Sequence, residues 1–339
     1  MSDYSILHML QRRMAEALAK REPFPADKEA LLQRLDCTRE QLIQCLGTMP
    51  GAVVDPQSRT EAEFPLGGTG VVQERIVYRT EEDVWVPVHI YRPAQPKSEK
   101  LPGVVLIQGW DLDKHSMPEF KVKLAQAGFV VLFPDNRFSG ERKRPVTGQA
   151  EQQNLLPVSE LFGLTFMGMN TWDNQRALDV LAARDDVDAD RLAAVGLCWG
   201  GMQTWTLAAV DQRVKVACPV CSVSTYEALV NEFIAWTGGH TCYGTYIRNW
   251  ACYGDIQDII ACIAPRPLLI QNNVNDTWFP ISGYHRVVSE VGEVYKTLGA
   301  ADHFQHQARI TEHDISEEFG ARVIDWLSRH VASRADEMK

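Results

Sequence analysis

The sequence predicts an α/β fold with an open, mostly parallel β-sheet and helices on both faces. From residue 71 onward, short apolar segments alternate with segments of helical periodicity. Two of the apolar segments, residues 103–107 and 129–133, contain no polar side chain. Such runs are typical of central parallel strands, because these strands are buried on both faces of the sheet. Alternation of strands and helices is the pattern of a sheet covered by helices on both sides.

Eight strands are expected in this sheet. The acidic residues 81–83 mark a turn, so the segments on either side of it form a predicted hairpin. The predicted strands cover residues 71–78, 84–91, 103–107, 129–133, 192–196, 214–220, 268–271 and 308–311. The predicted helices lie near residues 116–127, 170–183, 200–211, 281–298 and 315–331.

The chain is expected to divide into an extension, a main domain and a tail. Residues 1–70 hold apolar positions at helical spacing and then a Gly- and Pro-containing stretch at 51–70, which predicts a helical extension and a linker. The main domain is expected at 71–332 and a short tail at 333–339. Within the main domain, the aromatic- and glycine-rich residues 222–262 are interpreted as a lid over the cleft. A structural excursion with its own aromatic core is the alternative.

Composition excludes several classes of partner. The chain has 34 basic and 44 acidic residues, a net charge of −10, which argues against nucleic acid or an anionic membrane as its main partner. No apolar run is long enough to span a bilayer, and the start of the sequence lacks a secretory pattern, so a cytoplasmic location is expected. Eight cysteines in a chain of this length do not indicate a disulfide scaffold. Cys218 and Cys221 have C-x-x-C spacing but no second pair, and we interpret them as core cysteines with no metal site.

The segment Gly196-Leu197-Cys198-Trp199-Gly200 carries the strongest functional signal. It has the G-x-S-x-G spacing of a nucleophile elbow, with cysteine in place of serine. The two glycines allow a strand and a helix to approach closely, so that the residue between them lies in a sharp turn. A thiol at a helix N-terminus has a lowered pKa, which favours the nucleophilic thiolate. The alternative is a buried cysteine in a glycine-rich turn.

A cysteine nucleophile needs a base, and the base needs an orienting acid. Asp276 follows the predicted strand at 268–271 and therefore lies near the same sheet edge as Cys198. His313 follows the last predicted strand and precedes the last helix, which puts it at this edge too. His303 and His306 precede that strand and are expected at the opposite edge, and His240 and His285 are further options.

Two backbone amides are candidates for an oxyanion hole. The amide of Trp199 begins the helix after the elbow, where backbone N–H groups lack helical partners. The second donor is expected in the loop 108–111 after the first central parallel strand, where Gly109 permits close approach and the amide of Trp110 or a neighbour could point at the oxyanion. In the insertion, Trp236, Tyr243 and Tyr246 are candidate substrate-binding residues.

With these residues the chain resembles the dienelactone hydrolase and acetyl xylan esterase-like branch of the α/β-hydrolase superfamily. The resemblance covers roughly residues 70–332. The matching segments are Asp186–Leu192 leading into the elbow, Asp135–Arg142, and Ile263–Leu269 leading to Asp276 and then His313. The esterases of this branch carry serine at the position of Cys198, whereas dienelactone hydrolases carry cysteine. The length and the N-terminal helices are closer to the esterases.

The predicted function is hydrolysis of a carboxylic ester or lactone. His313, oriented by Asp276, removes the proton of Cys198, and the thiolate forms an acyl-thioester that water then releases. No metal or organic cofactor is required, and the expected partner is a small-molecule ester or lactone. The alternatives are an acyltransferase, thioesterase or cyclase on the same fold, and a non-catalytic ligand-binding protein. The N-terminal helices are compatible with a homodimer.

Overall fold

The computed structural model of the chain describes residues 5–49, 55–110, 112–143, 148–234, 246–313 and 316–331. In these residues the strands are β1 (Arg59–Leu66), β2 (Val71–Glu81), β3 (Val84–Pro93), β4 (Leu101–Ile107), β5 (Val130–Pro134), β6 (Val187–Leu197), β7 (Val214–Val220), β8 (Leu268–Asn273) and β9 (Phe304–Arg309). They form one nine-stranded sheet in the order β1-β2-β3-β5-β4-β6-β7-β8-β9. Strands β4 to β9 pair in parallel, while β1, β2 and β3 form an antiparallel meander whose last strand pairs antiparallel with β5.

The helices cover both faces of this sheet, as predicted. They are α1 (Ile6–Leu18), α2 (Lys28–Cys45), α3 (Pro118–Gln126), α4 (Gly148–Glu160), α5 (Phe166–Ala182), α6 (Trp199–Val210), α7 (Tyr226–Ala228), α8 (Ile256–Ala261), α9 (Ile281–Thr297) and α10 (Glu317–Val331). One apolar core lies beneath α5, α6, α8 and α9, and a second lies beneath α3 and α10. None of the helices in the described ranges is both long enough and apolar enough to cross a membrane.

The prediction of eight strands was wrong by one. Strand β1, Arg59–Leu66, lies inside the stretch that was predicted to be a linker, and it pairs antiparallel with β2 at the edge of the sheet. All but two of its eight side chains are exposed. An edge strand without a buried face has no alternation of apolar and polar residues, so its sequence resembles that of a loop. Helix α4 was also not predicted.

The predicted N-terminal helices are present as α1 and α2, and they differ in how they pack. Helix α2 buries Leu31, Leu35 and Leu42 in the main core, and its N-terminus is capped by Asp27, whose side chain accepts a hydrogen bond from the amide of Ala30. Helix α1 has no buried residue. Arg21, which follows α1, anchors this region to the main domain because its guanidinium binds the buried carboxylate of Asp258 in α8, at 2.6 and 3.1 Å.

We expect replacement of Arg21 by methionine to destabilise the protein by about 3 kcal/mol, because it leaves the buried carboxylate of Asp258 with only the more distant Arg34, at 3.9 Å, and removes the cation bound to Glu290. The side chains of Arg21 and Asp258 are 6% and 1% exposed. Arg12→Met is the matched control, since Arg12 and its partner Glu16 are 63% and 56% exposed. The control should cost no more than about 0.5 kcal/mol. Urea unfolding of both variants checks this, and equal free energies of unfolding would contradict it.

Candidate active site

The candidate nucleophile lies in a strained turn between β6 and α6. Cys198 has φ 57° and ψ −120°, a conformation that costs a non-glycine residue about 1–3 kcal/mol. Two backbone hydrogen bonds hold it there: its amide donates to the carbonyl of Val220 on β7, and its carbonyl accepts from the amide of Met202. Its side chain is partly exposed. The sequence-based prediction of a turn between a strand and a helix at this position therefore agrees with the structure.

The glycines of the elbow are required by close approach. A Cβ atom on Gly196 would overlap the carbonyl of Gly200, and a Cβ on Gly200 would overlap the carbonyl of Ile107 at the end of β4. Side chains at these two positions would thus push the start of α6 away from β6 and β4. Close packing of α6 on these strands is what places Cys198 next to the loop that follows β4.

Gly200→Ala should therefore destabilise the protein by about 2–3 kcal/mol, since a rigid backbone carbonyl must move to admit the methyl group. Gly292→Ala is the matched control, because its Cβ would lie 3.6 Å from the nearest ring atom of Phe304, which is an ordinary van der Waals contact. Gly292 lies inside α9, so the control should gain about 0.5–1 kcal/mol of stability. Thermal unfolding of the two variants measures the difference in stability. If Gly200→Ala unfolds at the same temperature as the parent, α6 does not need this close contact.

Asp276 and His313 lie together at the sheet edge that holds Cys198. The Nδ1 atom of His313 lies 2.7 Å from Oδ2 of Asp276. The other carboxylate oxygen accepts hydrogen bonds from the amides of Trp278 and Phe279, at 2.8 and 3.2 Å. The carboxylate is thus fixed by its own turn and presents one oxygen to the imidazole. The aromatic ring of Phe279 packs against that of His313, with centroids 6.0 Å apart.

His313 interacts with both Asp276 and Cys198. Its Nδ1 atom faces Asp276, so the ring nitrogen left for Cys198 is Nε2. Burial lowers the pKa of His313, but hydrogen bonding to these two residues and their negative charge outweigh burial and raise the pKa from 6.5 to about 10. The imidazole is therefore protonated at neutral pH. Its charge is balanced by Asp276 on the other side of the ring.

Two of the competing histidines lie away from this cluster, and His240 lies outside the described residues. His306 belongs to β9 and contacts the hydroxyl of Tyr284 at 3.1 Å, while His303 lies just before β9 and contacts the carbonyl of Pro265. Strand β9 begins at Phe304, so the prediction that His306 precedes the strand was wrong, whereas His303 does precede it. His313 follows its carboxyl end.

The loop after β4 reaches the nucleophile. A Cβ atom on Gly109 would lie 3.4 Å from Cβ of Cys198, so the backbone at Gly109 passes within contact distance of the candidate nucleophile. Trp110 follows in this loop, and Trp199 begins α6. The first amides of an α-helix lack partners within the helix, which leaves the amide of Trp199 at the helix end that carries the positive partial charge. Both predicted donors thus lie in backbone segments next to Cys198.

The side chains of Trp110 and Trp199 form an aromatic wall that the sequence did not predict. Phe166, at the start of α5, stacks on Trp199 with centroids 5.0 Å apart and planes 3° apart, and Trp110 packs edge-on against both rings. Phe138 completes the group by packing against Phe166. A small pocket opens beside it, lined by Gly109, Trp110, Asn136, Arg137, Phe138, Ser139, Phe166 and Trp199. Apolar walls next to the nucleophile suit the acyl part of an ester.

Of the three predicted substrate-binding residues, the structure describes Tyr246. It lines a second small pocket, which shares Phe166 with the first, and its ring packs against Tyr226 with centroids 5.4 Å apart. Trp236 and Tyr243 lie outside the described residues. The lid and the binding roles of these three residues stay predictions.

Cys221 lies in the apolar core, as predicted, and also close to Asp276 and His313. It is buried, and so is Cys218. Its backbone has φ 48°, and its sulfur lies within 4.8 Å of ligand atoms of Asp276 and His313. The C-x-x-C spacing drew attention to this residue, but the apolar run before it favoured a core assignment. Cys262 is buried, whereas Cys252 is exposed.

The chain has the α/β fold with a largely parallel sheet that esterases of the α/β-hydrolase type share. Residues 87–229, less than half of the chain, match the model of the dienelactone hydrolase family, in line with the resemblance predicted from the motifs. The matched segment includes the elbow but ends before Asp276 and His313.

Two curated relatives share part of the sequence. YtaP of Bacillus subtilis (strain 168), a hydrolase by name, is 32% identical over 197 residues, 58% of this chain and 62% of its own length. The uncharacterised protein PA2218 of Pseudomonas aeruginosa is 26% identical over 154 residues, 45% of this chain and 37% of its own length. The aligned part thus spans less than two thirds of each of these relatives.

Solved structures of esterases share the fold. The methylesterase BT1017 superposes with a TM-score of 0.69 at 19% identity, covering 94% of this chain and 67% of that one. A glucuronoyl esterase from Solibacter usitatus gives 0.65 at 14% identity, covering 86% and 91%. An acetyl xylan esterase from Paenibacillus sp. R4 gives 0.59 at 17% identity, covering 96% and 100%. At these identities the likeness establishes the fold.

Proposed function

We propose that this protein hydrolyses a carboxylic ester or lactone through a covalent acyl-thioester on Cys198. The observation that carries the proposal is the hydrogen bond of 2.7 Å between the imidazole of His313 and the carboxylate of Asp276, at the sheet edge where the elbow holds Cys198. The elbow directs the thiol to the carboxyl edge of the sheet, where open α/β sheets bind their ligands.

The first half of the proposed reaction begins from a thiolate–imidazolium pair. The thiolate of Cys198 attacks the carbonyl carbon, and the amides of Trp199 and of the loop at Trp110 stabilise the oxyanion that forms. When the tetrahedral intermediate collapses, Nε2–H of His313 protonates the leaving alkoxide. The alcohol departs, or in a lactone the ring opens, and the acyl group remains on sulfur.

The second half needs His313 as a base. Acylation removes the negative charge from Cys198, and with it one of the causes that raise the pKa of His313. After giving its proton to the leaving group, Nε2 can therefore accept a proton from water. The resulting hydroxide attacks the thioester, the carboxylic acid is released, and the thiolate–imidazolium pair is restored. Asp276 holds the ring orientation throughout by accepting from Nδ1.

The substrate class follows from thiolate chemistry. A thiolate is a better leaving group than an amide nitrogen, so an amide substrate requires full protonation of that nitrogen before the intermediate collapses forward. Enol esters, lactones and aryl esters release stabler anions and need less help. The aromatic wall of Trp110, Phe166 and Trp199 next to the nucleophile favours an apolar or planar acyl group.

Selective alkylation tests the proposed ion pair. At neutral pH we expect iodoacetamide to modify Cys198 about tenfold faster than the exposed Cys37 and Cys252, because the proposed mechanism starts from a thiolate at Cys198 and a thiolate is the form that is alkylated. Peptide mapping over time gives the three rates from one sample, so the exposed cysteines are internal controls. In His313→Ala the advantage of Cys198 should vanish. Modification of Cys198 at the rate of the exposed cysteines in the parent protein would contradict an ionised nucleophile.

A further inference from the structure

We propose that Cys221, Asp276 and His313 form an inhibitory binding site for a thiophilic divalent cation such as Zn²⁺. One ligand atom from each residue lies within 4.8 Å of those of the other two. Thiolate, imidazole and carboxylate together are a donor set that Zn²⁺ accepts in proteins. The three residues come from the ends of β7, β8 and β9, so the sheet itself brings them together.

The dimensions of the cluster fit a bound zinc ion after a small movement. With Zn–S of about 2.3 Å and Zn–N or Zn–O of about 2.0–2.2 Å, tetrahedral ligand atoms lie roughly 3.5 Å apart. Nδ1 of His313 and Oδ2 of Asp276 are 2.7 Å apart, so this pair must open by less than about 1 Å. The three protein ligands leave a fourth position for water.

The surroundings of Cys221 suit a metal-bound thiolate. The side-chain amide of Asn273 donates to its sulfur, with the two atoms 3.2 Å apart, and hydrogen bonds of this kind stabilise sulfur ligands. The sulfur and the carboxylate are buried, but the His313 side chain is 22% exposed. The ion would therefore enter from the cleft, past the imidazole ring.

Metal binding at this site would disable the base. Starting from the proposed thiolate–imidazolium pair, the ion forms bonds to Cys221 sulfur, Asp276 oxygen and His313 Nδ1, and it releases two protons to solvent, one from the Cys221 thiol and one from Nδ1. Nε2 keeps its proton, which it could release only by forming an imidazolate, so the metal-bound imidazole is a poor acid for the leaving group and offers no free lone pair to water. Both formation and hydrolysis of the acyl-enzyme would then be slowed. This loss of activity rests on the proposed function, whereas metal binding itself does not.

A binding experiment tests the site without using activity. Full-length Cys198→Ala protein is titrated with Cd²⁺, a spectroscopic substitute for Zn²⁺, and the thiolate-to-metal absorption in the ultraviolet is recorded. We expect one equivalent to produce the band, and we expect the band to disappear when Cys221→Ser or His313→Ala is added. The matched control adds Cys252→Ser, an exposed cysteine, and should keep the band. A band that survives Cys221→Ser, or no stoichiometric band, would overturn the proposal.

Inhibition by Zn²⁺ is the second measurement. Loss of a residue that hydrogen-bonds to a metal ligand lowers metal affinity about 10–100-fold. Loss of a ligand itself should cost no less, so Cys221→Ser should raise the half-inhibitory Zn²⁺ concentration by about tenfold or more. Mg²⁺ is the control cation and should not inhibit, because it prefers oxygen ligands. If Zn²⁺ inhibits the parent and Cys221→Ser equally, the ion binds Cys198 and His313 instead and the proposal is wrong. Cys221→Ala replaces Cys221→Ser if the serine variant does not fold. If the protein has no esterase activity, the Cd²⁺ titration alone decides whether the metal site exists.

Discussion

Replacing Cys198 with alanine is expected to lower kcat/KM for an activated ester such as p-nitrophenyl acetate by about 10⁴-fold or more, because it removes the nucleophile of the proposed covalent pathway. Cys252→Ala is the matched control, since Cys252 is exposed and lies outside the cluster, and it should keep the parent rate. The fold should survive, because alanine fits wherever cysteine does. A Cys198→Ala variant that retains a tenth of the parent rate would rule out Cys198 as the nucleophile.

Cys198→Ser refines this prediction. Asp276 and His313 form the same pair that orients a serine nucleophile in other hydrolases. The hydroxyl of serine does not ionise at neutral pH, so the resting ion pair with His313 is lost and the nucleophile depends on proton removal during attack. We therefore expect a rate between those of the parent and Cys198→Ala, and no reaction of this position with iodoacetamide.

The second large effect is expected at the base and its orienting acid. His313→Ala should lower kcat about 10²–10⁴-fold, the usual contribution of general acid–base catalysis. Asp276→Asn should have an effect of similar size, because an amide can donate to Nδ1 and stabilise the wrong tautomer of His313. Both effects should appear mainly in kcat, since neither side chain is proposed to bind the substrate.

His303→Ala is the matched control for this pair. His303 is a neighbouring histidine that contacts the carbonyl of Pro265 before β9 begins, and we expect its loss to leave the rate unchanged. Steady-state kinetics on the three variants, with circular dichroism to verify folding, measures the effect. Comparable losses in His303→Ala and His313→Ala would contradict the assignment of the base.

The elbow and the order of the candidate triad could be predicted from sequence because local chemistry encodes them. The turn at Cys198 requires glycines at fixed offsets, where side chains would overlap backbone carbonyls. Asp276 and His313 each follow a strand of the parallel part of the sheet, and parallel strands end at a common edge, so their proximity follows from topology. The hydrogen bond between them is a consequence of that placement.

The features that the sequence did not reveal depend on distant contacts or on exposure. Strand β1 escaped prediction because an exposed edge strand lacks a buried face. Phe166, the first residue of α5, lies more than thirty positions before Cys198 in the sequence. Only the packing of α5 on α6 brings its ring onto Trp199. Cys221 follows an apolar strand and is buried, as the sequence predicts for a core residue. Its closeness to Asp276 and His313 depends on the turn after β7, where its φ is 48°.

Mass spectrometry of the intact protein, quenched shortly after mixing with p-nitrophenyl acetate or an enol-lactone, tests the central claim most directly. We predict a transient acyl adduct that maps to Cys198, is absent from Cys198→Ala, and persists longer in His313→Ala because deacylation loses its base. Two results would contradict a covalent mechanism at Cys198, provided that the parent protein turns the substrate over. One is the absence of an adduct at every quench time in both the parent and His313→Ala, and the other is an adduct on another residue.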